Sequence, residues 1–233
     1  MRLIDFDVPS GGAKLVPSLA VRKGSPVWVK DGKYHPFRIE GINVPAREIF
    51  SLLSTRFDTV HFMDLDGISE REPDLELLKD ICSGKTAVAA DLGVPYSDMV
   101  IDVIMAGAAD AVVSTKTIGS LDEIASSYEL TENLILELVL EGMTISAQDP
   151  EMSGMDPAAF VKEMVVLGVK RILLVQTDPL GTDIGRSVDI VRKALPKDGE
   201  LWVDIGSLED IPVMSGKADA LVLSASRMVG GLD

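Results

Sequence analysis

The sequence has a single cysteine, Cys82, which excludes an internal disulfide and fits a reducing compartment. It lies in the helical pattern LELLKDIC, which is typical of a buried structural cysteine rather than a nucleophile. No apolar run reaches the roughly 18 residues of a transmembrane helix. The N-terminal MRLIDFDVPS is acidic and lacks the apolar core of a signal peptide. We therefore expect a cytoplasmic protein.

Positive charge is also scarce, with 22 Lys and Arg residues against 37 Asp and Glu residues and a net charge of −15. Nucleic acids and anionic membranes require basic patches, so neither is an expected partner. We expect a small-molecule substrate, with or without phosphate groups, and no cofactor. A homo-oligomer is one candidate assembly. Any phosphate site must be built from backbone donors and a few local cations.

Short apolar runs alternate with amphipathic helical patterns along the whole chain of 233 residues. The predicted strands are RLIDFDV (2–8), DTVHFMDL (58–65), KTAVAAD (85–91), ADAVVST (109–115), LILELVLE (134–141), KRILLVQT (170–177), ELWVDI (200–205) and ADALVLS (218–224). Eight strands, each followed by a helix or its remnant, predict a parallel sheet closed into a (β/α)8 barrel that forms a single domain over residues 1–233. An open doubly wound sheet is the alternative.

The chain also resembles itself at an offset of about 110 residues. The matching pairs are GAADAVVSTKT (107–117) with GKADALVLSAS (216–226), AADLG (89–93) with WVDIG (202–206), and FMDLDG (62–67) with VQTDPLG (175–181). Strands two, three and four thus match strands six, seven and eight. This repeat indicates two half-barrels and favours the closed barrel over the open sheet.

Two segments depart from the regular plan. Residues 10–41 form an insertion after the first predicted strand, and its VWVKDGKYHPF predicts a β-hairpin with a DG turn. Only nine residues follow Ser224, so we expect a truncated eighth helix. The apolar surface beside strands eight and one should then be covered by a partner chain or by the insertion.

Two stretches resemble a known family. HFMDLDGISEREPDLELLKDI (61–81) and GVKRILLVQTDPLGTDIG (168–185) are similar to the corresponding regions of the histidine-biosynthesis barrels. That family includes phosphoribosylformimino-aminoimidazole carboxamide ribotide isomerase and the cyclase subunit of imidazole glycerol phosphate synthase. The resemblance implies a (β/α)8 barrel. It also implies an Amadori rearrangement, an aldose-to-ketose shift in which one group donates a proton and another accepts it.

The resemblance also implies two catalytic carboxylates. The family has an aspartate at the end of its first strand, and Asp7 matches it by position. The second family aspartate lies on strand five, where the aligned residue here is Leu138, which cannot transfer protons. Alternation along LILELVLE puts the leucines outward and Glu137 inward. Glu137 is therefore the candidate replacement.

The family binds phosphate with glycine-rich turns after strands three, four, seven and eight, but the corresponding turns of this chain have other residues in place of the glycines. Asp91 and Asp204 replace glycines and place negative charge where phosphate would bind, at a cost of about 3 kcal/mol per like-charge pair in a partly screened site. The candidate substrate-binding residues are Asp64, Asp91, Gly93, Ser114, Thr115, Thr177, Asp178, Gly181, Thr182, Asp204, Gly206 and Ser224.

A ring of aspartates is predicted at the C-terminal mouth of the barrel, formed by Asp7, Asp64, Asp91, Asp178 and Asp204. Such a ring should raise some carboxyl pKa values, hold a divalent cation, or turn several side chains to solvent. We assign no metal ligands. His61 precedes the mouth and is expected to be a packed histidine rather than a ligand.

Three functions follow from these observations. The first is a diverged relative of the histidine isomerase that transfers protons on a sugar or a small polar metabolite. The second is the histidine isomerase itself, with its phosphate contacts rebuilt from residues such as Lys116 and Arg227. The third is a non-catalytic barrel that serves as a binding or assembly subunit.

Overall fold

The computed structural model describes residues 1–5, 12–30, 33–177 and 184–231. Eight parallel strands form a closed barrel: β1 (Lys14–Arg22), β2 (Thr59–Asp64), β3 (Ala87–Asp91), β4 (Asp110–Ser114), β5 (Leu134–Glu141), β6 (Arg171–Gln176), β7 (Glu200–Asp204) and β8 (Ala220–Ser224). Strand β8 pairs with β1 from Lys14–Ala220 to Ser18–Ser224, which closes the ring. The (β/α)8 architecture is confirmed.

Helices lie between the strands, as the alternating pattern predicts. They are α1 (Ala46–Leu53), α2 (Leu65–Glu70), α3 (Leu75–Ile81), α4 (Asp98–Met105), α5 (Leu121–Leu130), α6 (Pro150–Ser153), α7 (Pro157–Val166), α8 (Ile184–Ala194) and α9 (Ile211–Met214). No helix in the described ranges combines the length and the apolar character needed to cross a membrane.

The first barrel strand is not the one predicted. RLIDFDV was assigned to it, but Arg2–Leu3 instead pairs antiparallel with Val229–Gly230, outside the barrel. The barrel begins at β1, inside the predicted insertion 10–41. Pro17 obscures this strand, because proline cannot donate to a ladder and is rare in central strands. The structure accommodates it because the pairing of β1 with β2 starts at Ser18, one residue later.

The inserted hairpin is present and extends β1 beyond the barrel mouth. Ser25–Lys30 pairs with the end of β1 and with Lys33–Pro36. The predicted DG turn, residues 31–32, lies outside the described residues. The Arg22 guanidinium lies 5.2 Å from the centre of the Tyr34 ring, which ties the hairpin to the end of β1.

After β8 the chain forms a 3₁₀ turn, Ala225–Arg227, and then the short strand Val229–Gly230. Met228 and Val229 are buried, and the Ile4 N–H donates to the Met228 carbonyl. The surface beside β8 and β1 is thus packed in part by the two ends of the described chain. This cover was not among those predicted from the sequence.

Two apolar layers hold the barrel. One large layer lies between the strands and the helices, and includes the four leucines of β5. The second fills the barrel interior and consists of Val16, Ala89, Val112, Ile135, Leu173, Trp202, Ala220 and Val222. Inward residues above this layer line the C-terminal mouth. The interior is therefore a packed core, as in other (β/α)8 barrels, and chemistry is confined to the mouth.

Candidate functional site

A cavity of about 330 Å³ opens at the C-terminal mouth of the barrel. Its volume suits a small ligand. Tyr34 of the hairpin and Lys116 after β4 lie at its edge, and both are exposed. Five of the predicted site residues line it: Asp91, Ser114, Glu137, Thr177 and Asp204.

A larger depression of about 680 Å³ lies at the opposite end of the barrel, where the strands begin. Lys14, Trp202 and Asp219 contribute to it, and so does Gly12, which follows residues that the structure does not describe. Barrel enzymes keep their sites at the carboxyl ends of the strands. The buried carboxylates also lie at that end, so the smaller cavity is the candidate site.

Glu137 is the central carboxylate of the cavity. It is 6% exposed and faces inward from β5, as alternation predicts. The Ser114 hydroxyl donates to Glu137 Oε1 at 2.6 Å, and the Lys116 N–H donates to the same hydroxyl oxygen at 3.3 Å. Burial raises the pKa of Glu137, while the Ser114 hydrogen bond and the Lys116 charge oppose that rise. These donors favour the ionised form of this carboxyl.

Asp91 and Asp204 flank this charge from β3 and β7. Burial, and then the negative charge of Glu137, raises the pKa of Asp91 well above its usual range. The same two causes raise the pKa of Asp204 to about 7. Asp91 therefore holds its proton more tightly than an ordinary aspartate, and Asp204 is close to its midpoint near neutral pH. The cavity thus brings together carboxyl groups with different tendencies to hold a proton.

Of the three outcomes expected for the carboxylate ring, the raised pKa values are the one that this geometry supports. Within the described part of the chain, no three His, Cys, Asp or Glu side chains are grouped so that they could hold a metal ion. Asp7 and Asp178, two members of the predicted ring, lie outside the described residues, so a bound cation stays a prediction.

Asp204 gives a test through pH. Its pKa is higher in the folded state than in the unfolded chain, so folding favours the protonated acid. Stability is then lost as pH rises from about 4 to about 7 and is level above that. Asp204 is partly exposed at the cavity. We therefore expect only about 2 kcal/mol of pH-dependent stability that Asp204→Asn abolishes.

The measurement is the free energy of unfolding in urea at pH 5 and pH 8. Wild type should lose stability relative to Asp204→Asn between these two values. Glu209→Gln, which removes an exposed carboxylate in the next turn, is the matched control and should run parallel to wild type. Parallel curves for wild type and Asp204→Asn would show that Asp204 ionises normally.

Asp64, the first aspartate of HFMDLDG, has a different place from the one predicted. It is 2% exposed and caps α2: Oδ1 accepts from the N–H groups of Asp66 and Gly67, and Oδ2 accepts from the Asp74 N–H at 2.6 Å. Burial raises its pKa, and the three backbone donors oppose the rise. The carboxylate thus stabilises a turn beside the mouth rather than lining the cavity.

Asp64→Ala should therefore lower the free energy of unfolding by about 2–3 kcal/mol, because it leaves three backbone donors without their acceptor. Urea denaturation at pH 7 measures this. Asp74→Ala is the matched comparison, since it removes one exposed cap bond, to the Leu77 N–H, and should cost about 1 kcal/mol. If Asp64→Ala keeps full stability and loses only ligand affinity, the predicted role in positioning substrate hydroxyls is correct instead.

Four other predicted binding residues lie away from the cavity. Gly93 sits in a tight turn against Gly67, and Gly206 is exposed near Asp210. The buried Thr115 hydroxyl donates to the Ser146 carbonyl and accepts from the Val139 N–H, so its proton is already used within the chain. Ser224 caps the 3₁₀ turn after β8.

The remaining predicted residues, Asp7, Asp178, Gly181 and Thr182, lie outside the described residues. Asp7 was matched to the family's catalytic aspartate on the assumption that RLIDFDV is the first barrel strand, and it is not. The sequence of β1 is KLVPSLAVR, which contains no acidic residue. The family's first catalytic carboxylate therefore has no counterpart on β1.

Ser18, Tyr34 and His61 are among the residues that line the cavity but were not predicted from the sequence. Ser18 belongs to the strand hidden by Pro17, and Tyr34 reaches the mouth through the hairpin. His61 was expected to be packed. It is 2% exposed, yet it lines the cavity floor, with Nδ1 3.1 Å from Ser18 Oγ. Alternation along β2 could have predicted this position, because His61 and Met63 lie two residues apart and therefore share the inward face of the strand.

The sequence profile of a family described as "Histidine biosynthesis protein" matches residues 14–218. The match begins at Lys14, the first residue of β1, and so leaves out RLIDFDV. No curated protein matches the chain.

Proposed function

The chain belongs to the histidine biosynthesis protein family, and from this membership we propose that it is a diverged isomerase that transfers protons on a small polar substrate. The observation that carries the proposal is the group of Asp91, Glu137 and Asp204 in one cavity at the barrel mouth. Burial and the charge on Glu137 raise the pKa values of Asp91 and Asp204, whereas the Ser114 hydrogen bond and the Lys116 charge oppose the rise in the pKa of Glu137. General acid–base catalysis requires such a pair of unlike groups.

The proposed reaction interconverts an aldose and its ketose. Glu137 takes the proton from the carbon next to the carbonyl group. A protonated Asp91 or Asp204 gives its proton to the carbonyl oxygen, and an enediol forms. Glu137 then returns its proton to the former carbonyl carbon, and the deprotonated Asp91 or Asp204 takes the proton from the hydroxyl group on the adjacent carbon, which becomes the new carbonyl group. Both carboxyl groups are thereby restored. No oxidant, reductant or further reactant is consumed.

Lys116 supports the role of Glu137 as the base. The positive charge of its side chain opposes the rise that burial causes in the pKa of the Glu137 carboxyl group. Its backbone N–H donates to the Ser114 hydroxyl oxygen, which orients that hydroxyl group toward the carboxylate. A base that is ionised but buried is held without a full water shell, which strengthens it toward a carbon-bound proton. Ser114 and Lys116 thus act as positioning residues, whereas Glu137 would touch the substrate.

Deuterium exchange tests the proposal on a whole class of sugars. The protein is incubated in D₂O with single pentoses and pentuloses, with and without phosphate groups, and NMR follows label at the carbon next to the carbonyl group. We expect label in at least one unphosphorylated sugar, lost when Glu137 is replaced. Absence of label in every sugar would favour the binding or assembly barrel, the third candidate.

The histidine isomerase itself is the second candidate, and the family match favours it. Against it, Asp91 and Asp204 lie at the ends of β3 and β7, where the family's glycine turns hold phosphate. Complementation of a strain that lacks the isomerase separates the two. We expect no growth without histidine. Growth that is lost on replacing Glu137 would establish the second candidate.

A further inference from the structure

The Nε2 atom of His61 is a buried polar atom with no hydrogen-bond partner. Within the described part of the chain, the only other such side-chain atom is the Tyr128 hydroxyl, near Asp110 and Arg171 and away from the mouth. Buried polar atoms in native proteins are almost always paired, and each exception calls for an explanation. An exception in the candidate cavity indicates a partner that is not part of this chain.

The position of the His61 ring is fixed from one side. Ser18 is its neighbour across the β1–β2 ladder, and Ser18 Oγ lies 3.1 Å from Nδ1. Nε2 is at the other end of the ring, farther from the backbone. His61 lies three residues before the end of β2, whereas Asp91, Ser114 and Asp204 end their strands. His61, which lines the cavity, therefore belongs to its floor, beneath the carboxyl groups.

The ring is neutral. Burial lowers the pKa of His61 to about 4, so the imidazole carries one N–H and one bare nitrogen near neutral pH. Ser18 Oγ is 3.5 Å from Met63 Sδ, a weak contact that leaves either histidine tautomer possible. Nε2 is consequently either a donor or an acceptor, and its partner must match whichever role it has.

A hydroxyl group meets both requirements, because it can accept from an N–H and donate to a bare nitrogen. A phosphate oxygen would need Nε2 as a donor and would lie close to the charge on Glu137. An ammonium group would need Nε2 as an acceptor only. The neutral floor and the acidic walls together select an uncharged hydroxyl compound over an anion.

We propose that the cavity floor is a hydroxyl-binding subsite, in which His61 Nε2 hydrogen-bonds a hydroxyl group of an unphosphorylated sugar or polyol. The subsite rests on the proposed function and adds the substrate class to it. The bound hydroxyl would fix one part of the sugar at the floor. The reacting carbonyl group would then lie higher in the cavity, within reach of Glu137 and its acidic neighbours.

The test uses ribitol, which has hydroxyl groups but no carbonyl group. Ribitol cannot be isomerised, so its binding is independent of the chemistry assigned to Glu137. The chain has two histidines, and NMR of the imidazole nitrogens resolves both. His35, which lies against Trp28 in the hairpin, is the internal reference.

We expect ribitol to shift the His61 Nε2 resonance with a saturable dependence on concentration and to leave His35 unchanged. Inorganic phosphate at the same ionic strength should shift neither. The proposal is overturned if His61 does not respond to ribitol up to about 100 mM, well beyond the affinity expected of a specific small ligand. It is also overturned if phosphate shifts the resonance as ribitol does.

Two variants separate ligand binding from a structural role. His61→Leu removes the polar atom and should weaken ribitol binding about tenfold, with the melting temperature equal to or above that of wild type. His61→Gln restores a polar atom near the Nε2 position and should recover most of the affinity. Unchanged ribitol affinity in His61→Leu contradicts the proposal, and so does a loss of affinity that His61→Gln fails to recover.

Failure of the subsite and failure of the proposed function are distinguishable. Ribitol binding without deuterium exchange in any sugar would keep the subsite and remove the isomerase. Exchange that is lost on replacing Glu137, with no response of His61 to ribitol, would keep the isomerase and remove the subsite.

Discussion

Glu137→Gln should lower turnover by about 10²–10⁴-fold, the contribution typical of a positioned general base. Glutamine keeps the size of the side chain and can still accept from the Ser114 hydroxyl, but it cannot take a proton from carbon. The measurement is the rate of deuterium uptake from D₂O into a sugar that the wild-type protein labels. Because a general base acts in the transition state rather than in substrate binding, the loss should appear in kcat more than in KM.

Glu141→Gln is the matched control for this variant. Glu141 lies four residues further along the same strand and is exposed at its end. Both substitutions remove one negative charge from the same face of β5. Glu141→Gln should keep turnover near wild type. Turnover within about threefold of wild type in Glu137→Gln, or an equal loss in both variants, would show that Glu137 is not the base.

Only one of the three acids of this cavity, Glu137, comes from a strand that the family pattern suggests. The family has its carboxylates on strands one and five, whereas here β1 has none and the acids lie on β3, β5 and β7. Residues at the ends of neighbouring parallel strands meet at one mouth whichever strand carries them. Proton transfer can therefore persist in the barrel after the carboxylates have moved.

The periodic features of the fold were predictable from sequence. Seven of the eight barrel strands and the inserted hairpin follow from apolar runs and turn residues. The alternation in LILELVLE correctly places Glu137 inward and Leu138 in the outer layer. These features are predictable because each rests on a repeated local pattern, in which many residues agree on the same structure.

The first barrel strand could not be predicted from a local sequence pattern. RLIDFDV alternates more regularly than KLVPSLAVR, and Pro17 counts against the true strand. KLVPSLAVR is identified as the first barrel strand only by its pairing with β8 on one side and β2 on the other. Both partner strands are more than 40 residues away in the sequence. Such long-range register is not encoded in a single short window.

Individual polar residues were harder to predict than strands. Asp64 and Thr115 stand at strand ends, where a ligand contact and a backbone hydrogen bond look alike in sequence. The structure satisfies both side chains with backbone groups of the chain. His61 is the reverse case, because it looks like core and has an unpaired nitrogen. Hydrogen-bond partners decide these roles. The partners of Asp64 lie in the segment that follows it, whereas those of Thr115 come from β5 and the segment after it.

Gly93→Ala should lower the free energy of unfolding by about 3–5 kcal/mol, which is a large part of the stability of a typical domain. Gly93 has φ +69°, in the left-handed region, and an added Cβ would lie 2.6 Å from the Gly67 carbonyl oxygen and 2.5 Å from the Ile68 Cα. Both are backbone atoms in the middle of α2, so they cannot rotate away. Gly67 is equally confined, since its own Cβ would lie 2.4 Å from the Leu92 carbonyl oxygen.

Gly142→Ala separates the two causes of this loss. Gly142 has φ +61° but no atom within 4 Å of an added Cβ, so the variant should lose only the roughly 1–2 kcal/mol of the left-handed conformation. Urea denaturation of both variants measures the difference, which is the cost of the contact between the turn after β3 and α2. If Gly93→Ala is as stable as Gly142→Ala but binds ligand more weakly, Gly93 serves the ligand, as the family's phosphate turns imply. The close approach of Gly93 to Gly67 favours the first result, because it occupies the space around Gly93 with backbone rather than ligand.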